Sequence, residues 1–347
     1  MSSFPSSHMA DNSLSSNSIA TSTYKLSKKE EGEVVTVDED KLRCRRPLKD
    51  IINTELDSEY KELILALPKE ERWLSPLRYY RGFWQLQQAL PRILAMQEVF
   101  MSRPSDVIVT SFVKSGTTWL KALTFTIMHR DKYTFSHHPL LTLNPHDCVP
   151  SIEHVYAARD EQYLETLPSP RVLGSHLSYS LLPESIKTSK CPIVYICREP
   201  KDVFISFWHM SLRLEGLKEP PSFAQAFELF CEGRVPHELE SSPEKILILK
   251  YEEMLKDPID GVMMLANFIG HPFSEKEVKN GVVEKIVEFC SFNKLKELDV
   301  NNGGDITNSY FFRKAVVGDW QNYMTMEMVN KLDEITKEKL CGSSFTY

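Results

Sequence analysis

Four short apolar runs recur along the chain and are separated by stretches with helical spacing. They lie at residues 106–110, 171–175, 193–197 and 245–249. Each run is rich in Val, Ile and Leu and shows no alternation of apolar and polar positions, which is typical of strands buried on both faces of a parallel sheet. The pattern predicts an α/β fold with a central, mainly parallel β-sheet flanked by helices.

Helical periodicity fills the intervals between these runs. Residues 117–128 carry apolar side chains at 119, 120, 123 and 127, and residues 202–212 and 222–230 follow the same spacing. No internal repeat and no stretch rich in Pro, Gly and Ser interrupts the chain after residue 100. We therefore predict a single domain over residues 60–347, with ordered structure beginning between Tyr60 and Trp73.

The first 59 residues have a different composition. Residues 1–24 include nine Ser and no apolar h-region, which excludes a secretory signal peptide. Mixed charges over residues 28–40 are typical of a solvated linker. We predict a disordered Ser-rich and charged tail over residues 1–59. An organelle transit peptide is the alternative, although the missing Arg and the presence of Asp11 count against it.

Composition and charge exclude several classes of protein. The 347 residues contain 41 Lys and Arg against 48 Asp and Glu, and a net charge of −7 does not suit a general nucleic-acid binder. No apolar stretch is long enough to span a membrane, so no membrane partner is expected. Seven Cys without a CxxC pair indicate reduced thiols in a cytoplasmic protein, with neither a disulfide framework nor a metal site.

The residues after each predicted strand deserve inspection first, because ligands of such sheets bind beyond the carboxyl ends of the strands. Residues 111–119 read Ser-Phe-Val-Lys-Ser-Gly-Thr-Thr-Trp, a strand end, a turn and a helix start. Backbone N–H groups there, helped by Lys114, suit a phosphate-binding strand-loop-helix. The order differs from GxxxxGK[ST], because the first Gly is absent and Lys114 precedes Gly116. A Ser or Thr that merely caps the helix is the alternative.

The second and third strand ends bring a histidine and an arginine. His176 follows residues 171–175, where a neutral imidazole could serve as a general base in the same crevice as Lys114, or could be structural. Arg198 follows residues 193–197 and suits bidentate phosphate binding, with the Ser206 hydroxyl as a further donor. The alternative for Arg198 is an ion pair with Glu199 or Asp202.

Two further candidates complete the set. Tyr251 follows the fourth run and fits a binding site or the core equally well. Near the C-terminus, Arg313 and Lys314 are adjacent cations in a loop that contains Gly318, where a solvent-exposed basic pair is the alternative.

In their order and spacing, three of these segments resemble the cytosolic sulfotransferases that use 3′-phosphoadenosine 5′-phosphosulfate (PAPS), and most closely the plant members. They are residues 114–119, the stretch from Arg198 to Ser206, and Arg313-Lys314 followed by Gly318-Asp319-Trp320. The resemblance covers about residues 60–347. It implies transfer of a sulfuryl group from PAPS to a hydroxyl of a small plant metabolite, such as a flavonoid, a brassinosteroid or a hydroxyjasmonate. The product PAP (3′-phosphoadenosine 5′-phosphate) remains, and no metal is implied.

The resemblance also implies a role for each matching residue. His176 would be the catalytic base, and Lys114 would neutralise charge on the departing 5′-phosphate. Residues 114–119 would hold the 5′-phosphosulfate, with Trp119 on the adenine. The implied cofactor-binding residues are Lys114, Ser115, Gly116, Thr117, Thr118, Trp119, Arg198, Ser206, Tyr251, Ser291, Phe292, Arg313, Lys314 and Ala315.

The chain departs from the family pattern at several positions. Val113 and Ala315 stand where Pro and Gly are usual, and the Ala315 methyl is expected to weaken 3′-phosphate binding. Gly174 replaces a Lys that is frequent in animal members, so that Lys114 is expected to carry more of the leaving-group charge. Cys290 stands where animal members often have Thr.

Three questions stay open at this point. Residues 231–245 lack the aromatic-rich helix that helps to wall the acceptor pocket in plant members, so a catalytically impaired paralogue that binds PAPS or PAP is an alternative. A nucleotide-kinase-like phosphotransferase is a second one. The eroded dimer signature after Trp320 predicts a monomer or a weak homodimer. Candidate residues for the wall of an apolar acceptor pocket, each equally suited to the core, are Trp84, Phe135, His138, Tyr179 and Trp208.

Overall fold

The four apolar runs form one parallel sheet. In the computed structural model, the described strands are β1 (Lys69–Glu70), β2 (Leu77–Tyr80), β3 (Phe83–Leu86), β4 (Val107–Ser111), β5 (Val172–Ser175), β6 (Ile193–Cys197) and β7 (Ile246–Lys250). Strands β5, β4, β6 and β7 lie side by side in this order, and each neighbouring pair is parallel. The predicted bounds are correct to within one residue, and the predicted α/β class is confirmed.

The structure describes residues 59–73, 75–158, 160–213, 221–233, 245–302 and 310–342. Nearly all of the predicted tail over residues 1–59, and most of the interval 231–245, therefore lie outside the described residues. The described helices are α1 (Lys61–Ala66), α2 (Leu90–Val99), α3 (Thr117–Met128), α4 (Pro145–Cys148), α5 (Ile152–Ala158), α6 (Glu161–Thr166), α7 (Glu184–Thr188), α8 (Pro200–Ser211), α9 (Phe223–Cys231), α10 (Tyr251–Lys256), α11 (Pro258–Phe268), α12 (Glu275–Lys279), α13 (Val282–Phe289), α14 (Phe292–Glu297), α15 (Asp299–Asn302) and α16 (Met326–Lys339).

Helices cover both faces of β4, β5 and β6, whose residues are nearly all buried. The prediction of burial on both faces is wrong for β7, an edge strand that is only partly buried and exposes Ile248. On β4, Val107 and Val109 pack with α3, α11 and α13, whereas the intervening Ile108 packs with α2 and α5 on the opposite face. A third apolar cluster joins α8, α9 and α16. The sheet is therefore the middle layer of three, and only its edges and strand ends are left for function.

A second, antiparallel sheet of β1, β2 and β3 precedes the parallel one and was not predicted. Strands β2 and β3 are joined by Arg81 and Gly82, both at positive φ (45° and 91°), the conformation of a tight hairpin turn. Arg is an unusual residue for that turn, and strands of four residues leave little periodicity to detect. The hairpin therefore carries weak sequence signals.

Three further features concern the described parts of the chain only. None of the helices there is long and apolar enough to cross a membrane. No group of three or more His, Cys, Asp or Glu side chains in these segments is arranged to hold a metal ion. The six cysteines that they contain are free thiols, five buried and Cys341 exposed.

Candidate active site

The loop after β4 is shaped to approach a ligand through its backbone. Lys114 adopts a left-handed conformation (φ 71°), and so does Gly116 (φ 111°), the N-cap of α3. No side chain caps the helix, so the helix-cap alternative does not describe the structure. A Cβ atom on Gly116 would lie 2.8 Å from the ring of Tyr251, so only glycine fits there. The first-turn N–H groups of α3 therefore present partial positive charge to an anion.

Two threonine hydroxyls lie at the start of α3. The Thr117 hydroxyl is 2.5 Å from the Ser111 hydroxyl at the end of β4. The Thr118 hydroxyl lies 2.9 Å from Nε2 of His146, which belongs to the short helix α4. Each hydroxyl is thus oriented by a neighbour in the protein.

Lys114 is a buried cation among other cations. Its ammonium group donates a hydrogen bond of 2.7 Å to the carbonyl of Tyr310. Burial, together with the positive charges of Arg313, Arg198 and Arg213, lowers the pKa of Lys114 to about 8. Such an accumulation of positive charge favours a bound anion.

His176, directly after β5, is held by the backbone in one tautomer. Its Nδ1 lies 3.0 Å from the carbonyl oxygen of Ser111, and its backbone N–H donates to Glu153 Oε1 at 2.7 Å. Because a carbonyl only accepts, Nδ1 carries the proton and Nε2 is the basic atom. Burial lowers the pKa of His176, Glu153 opposes that shift, and Lys121 and Lys114 reinforce it. The imidazole is therefore neutral near pH 7.

The sequence allows Arg198, after β6, either to bind phosphate or to form an ion pair, and its contacts agree with both roles. One Nη atom lies 3.4 Å from the Asp202 carboxylate and donates to the carbonyl of Val316 at 2.8 Å. The guanidinium also covers the ring of Tyr251 at 4.8 Å, while its buried Nε has no hydrogen-bond partner. Asp202 is not dedicated to Arg198, because it also accepts from the backbone N–H groups of Gly318 and Trp320 at 2.7 and 3.1 Å. It thereby fixes the C-terminal loop against α8.

That C-terminal loop carries the two cations near residue 313. Arg313 and Lys314 bind opposite oxygens of the Asp319 carboxylate at 2.5 and 2.9 Å, so they are not a free basic pair. Burial alone would raise the pKa of Asp319, but hydrogen bonds from Lys314, Arg313 and Asn322 lower it to about 2. The Nε of Arg313 is buried without a partner. Ala315 follows at φ 54°, a left-handed conformation that is costly for alanine.

Aromatic side chains border the remaining part of the site. Tyr251 begins α10 and meets the edge of Trp119 at 5.7 Å between ring centroids. Phe292 lies 5.9 Å from Phe312, and Ser291 caps α14 by accepting from the N–H of Lys294. Tyr251 belongs to the buried core and also lines the cavity, so the two roles that its sequence position allows are compatible.

One cavity of about 270 Å³ brings the predicted residues together. Fourteen of the fifteen side chains or backbone segments predicted from the sequence line it, and the exception is Ser115, which is buried beneath the turn. The lining comes mainly from the segments that follow the four parallel strands and from two C-terminal segments, residues 287–295 and 311–315, and helices α4, α8, α10 and α11 add further residues. The cavity therefore lies at the carboxyl edge of the sheet, where ligands are expected to bind in this class of fold.

Comparison with known proteins identifies the family. Residues 104–344 match the sulfotransferase domain model. The chain belongs to the sulfotransferase family. Cytosolic sulfotransferase 17 of Arabidopsis thaliana is 40% identical over 309 residues, which cover 82% of this chain and 89% of the relative. The flavonol 3-sulfotransferase of Flaveria bidentis is 42% identical over 282 residues, which cover 75% of this chain and 90% of the relative.

Solved structures agree with this assignment. A crystal structure of an Arabidopsis thaliana protein described as a candidate steroid sulphotransferase is 33% identical, with a TM-score of 0.68, and the match covers 85% of this chain and 99% of that one. The mouse sulfotransferase SULT7A1, crystallised with PAP, is 25% identical, with a TM-score of 0.60 and coverage of 77% and 96%. The resemblance to plant cytosolic sulfotransferases is confirmed, and the phosphotransferase alternative is set aside.

The sulfotransferase cavity also contains residues that were not predicted as site residues. They are Val113, His146, Met210, Leu255, Pro258, Val287, Leu295, Phe311 and Phe312. His146 stacks on Phe311 at 4.1 Å between ring centroids, so two segments 165 positions apart meet in the wall. Its position in the sequence Asn144-Pro-His-Asp147, which forms a capping box, was the available signal.

The five acceptor-wall candidates do not line this sulfotransferase cavity. Phe135 and His138 pack against Phe289, at 5.3 and 4.8 Å between ring centroids, and burial lowers the pKa of His138 to about 3. Trp208 packs against Phe223 at 5.7 Å, and Trp84 against Tyr79 at 5.3 Å. Tyr179 lies beside the cluster that includes α2 and α5. Each of the five therefore has packing contacts, and because the described cavity is the candidate cofactor site, their role in an acceptor wall stays a prediction.

Proposed function

We propose that this sulfotransferase moves the sulfuryl group of PAPS to a hydroxyl of a small plant metabolite, with His176 as the general base. One observation carries the proposal. Lys114, Arg198 and Arg313 come from three distant segments and line one cavity together with His176. Cations that converge in a protein of net charge −7 indicate a specific anionic ligand.

The polar groups of the cavity fit such a ligand. Arg198 and Arg313 each bury an Nε–H without a partner, and leaving such a donor unsatisfied costs about 1–3 kcal/mol. A phosphate oxygen would satisfy each one and would also offset the repulsion among the cations. In this proposal Arg198, Ser206, Arg313, Lys314 and the backbone at Ala315 hold the 3′-phosphate.

The other parts of PAPS would lie along the rest of the cavity. The loop and helix start at residues 114–119 would hold the 5′-phosphosulfate through backbone N–H groups, the two Thr hydroxyls and Lys114. Trp119, Tyr251, Ser291 and Phe292 would frame the adenine.

PAPS supplies an activated sulfuryl group, and the protein supplies charge and a proton acceptor. His176 accepts the proton of the acceptor hydroxyl at Nε2, because its Nδ1 proton is held by the Ser111 carbonyl. A base in this position contributes about 10²- to 10⁴-fold to the rate. Lys114 would place positive charge where the 5′-phosphate gains negative charge. No metal is required in this scheme.

For the acceptor we infer a small apolar ring compound with a free hydroxyl. The relatives described above are named for a flavonol and for steroids. Flavonols and hydroxysteroids are therefore the first acceptors to screen. The predicted cytoplasmic location agrees with relatives named cytosolic, and the predicted monomer or weak homodimer is testable by light scattering over a concentration series.

Calorimetric titration with PAP, beside ATP and beside the Arg198→Ala/Lys314→Ala variant, tests the cofactor site. We expect micromolar PAP binding that ATP does not match and that the variant loses. Transfer from PAPS to a flavonol or a hydroxysteroid, measured with EDTA present, then tests turnover without a metal. A folded protein that ignores PAP would refute the proposal, and PAP binding without turnover on any acceptor would favour the impaired paralogue.

A further inference from the structure

A buried lysine one turn into α3 lies behind the anion-binding loop. Lys121 is fully buried, and its ammonium group has three acceptors within reach. They are Nδ1 of His146 at 3.3 Å, the carbonyl of Val149 at 2.9 Å and the hydroxyl of Ser151 at 2.9 Å. An ammonium group has three N–H donors and no acceptor, so this environment matches the charged form of lysine.

A glycine in the sheet leaves space for the ammonium group of Lys121. Gly174 of β5 faces it, and a Cβ atom there would lie 2.6 Å from both Cε and Nζ of Lys121. Any larger residue at position 174 would displace the lysine. The Lys121 ammonium group therefore occupies space that a side chain at position 174 would otherwise fill.

The lysine determines which nitrogen of His146 carries the proton. Because Lys121 can only donate, Nδ1 of His146 must accept, and its Nε2 must carry the hydrogen. Nε2–H then donates to the hydroxyl oxygen of Thr118, 2.9 Å away. The Thr118 hydroxyl hydrogen is left to point to an acceptor in the cavity, which Thr118 and His146 both line.

We propose that Lys121 and His146 are positioning residues that orient the Thr118 hydroxyl as a donor to the transferring group. The proposal rests on the proposed function, because it assigns the recipient of that hydrogen bond to the 5′-phosphosulfate. Two histidines of one cavity are thereby held in opposite tautomers. His176 carries its proton on Nδ1 and serves as a base, whereas His146 carries its proton on Nε2 and serves as a donor.

A double-mutant cycle between His146 and Thr118 tests the coupling. His146→Phe keeps the stacking on Phe311 but removes both nitrogens, and Thr118→Val removes the hydroxyl. We expect each variant to lower kcat about tenfold or more, and the double variant to lose no more than Thr118→Val alone. His146→Gln should restore much of the rate, because an amide offers both an acceptor for Lys121 and a donor for Thr118.

Two controls separate positioning from structural damage. Thr124→Val, in the same helix, removes a hydroxyl that bonds only to the Leu120 carbonyl, and its effect should add to that of His146→Phe. Melting temperature and PAP affinity, measured for every variant, report on folding. Additive losses in the His146 and Thr118 pair would refute the coupling.

Nitrogen-15 NMR of the imidazole rings gives a readout that needs no substrate. We expect the Nε2–H tautomer for His146 and the Nδ1–H tautomer for His176, and Lys121→Met should abolish the preference at His146 alone. A His146 ring protonated on Nδ1 would overturn the inference while leaving the proposed function intact. Absence of PAP binding in the unmodified protein would instead refute the proposed function.

Discussion

Buried arginines lie at both ends of the parallel strands, the amino edge and the carboxyl edge of the sheet, and their hydrogen bonding differs between the two. At the amino edge, just before β5, all five N–H groups of Arg171 are used by the protein, two of them on the buried carboxylate of Asp106. At the carboxyl edge, Arg198 and Arg313 are also largely buried, yet each leaves its Nε without a partner. Full hydrogen-bond satisfaction is typical of a buried arginine with a structural role, whereas an unpaired Nε–H in an arginine that lines a cavity suits the binding of an anion.

The backbone shows the same contrast. At the amino edge, none of the described residues that directly precede β4, β5 and β6 has a positive φ. The carboxyl edge and the loop that covers it contain Lys114 and Ala315, two non-glycine residues in left-handed conformation. Such strain collects where backbone must face a ligand, because the surrounding contacts hold it there.

The largest effect is expected at the carboxyl edge, from His176→Ala. Loss of the base should reduce transfer by about 10²- to 10⁴-fold and leave PAP affinity nearly unchanged. Since burial lowers the pKa of His176, the rate of the unmodified enzyme should fall on the acid side only below pH 6.5, the ordinary histidine value. Turnover assays and PAP titration measure both. Equal loss of rate and of PAP affinity would show a structural role, and His271→Ala, outside the cavity, is the control.

A matched pair of leucine variants tests the contrast between the edges. Arg171→Leu leaves the Asp106 carboxylate buried without its ion pair and should reduce the free energy of unfolding by about 3–5 kcal/mol. Arg198→Leu should change stability by less than about 1 kcal/mol but weaken PAP binding by about 10- to 100-fold. Denaturant unfolding and calorimetry measure the two quantities. Similar losses of stability in both variants would contradict the proposed difference between a structural Arg171 and a ligand-binding Arg198.

The pKa of Lys114 predicts how PAP affinity depends on pH. In the free protein that pKa is about 8, and a bound phosphate dianion must raise it by favouring the charged ammonium. Affinity is therefore highest below pH 8 and falls as pH rises from 8 toward the pKa of the complex, by up to about tenfold per pH unit. Titrations between pH 6.5 and 9.5 measure this. Lys114→Arg, which stays charged, should flatten the profile, and an unchanged slope would exclude Lys114 as its origin.

The smallest effect concerns the backbone at Ala315. A left-handed alanine costs about 1 kcal/mol relative to glycine, so Ala315→Gly should raise the melting temperature slightly and tighten PAP binding a few-fold. Ala315→Val should act in the opposite direction, because a branched side chain is worse at positive φ. Melting temperatures with and without PAP are compared for the unmodified protein and the two variants. Weaker binding by the glycine variant would show that the methyl group does not crowd the site.

Local patterns were sufficient for the sheet and for most of the site. Buried parallel strands are read from continuous apolar runs, and the residue after each run lies at the same edge of the sheet because the strands are parallel. That rule brought Lys114, His176, Arg198 and Tyr251 together before any contact was known. Arg313 and Lys314 were candidates as adjacent cations, and the family resemblance added Ser291 and Phe292.

Long-range contacts could not be read in the same way. Asp202 and Asp319 occur in a sequence with 48 acidic residues, and nothing local shows that one would clamp residues 318–320 and the other would hold Arg313 and Lys314. The aromatic acceptor-wall candidates stay predictions for a related reason, since an aromatic side chain has the same local signal in a core and in a pocket.

The sequence by itself determined the class of the fold, the edge at which the ligand site forms, and the sulfotransferase family, because these follow from periodicity, strand direction and short motifs. Tertiary structure alone decided which buried polar groups are satisfied and which are not. It decided that the ammonium group of Lys121 lies beside Gly174 and His146, and that Arg198 and Arg313 each bury an Nε–H without a partner. Hydrogen-bond satisfaction depends on atoms brought together from distant segments, so no local pattern encodes it.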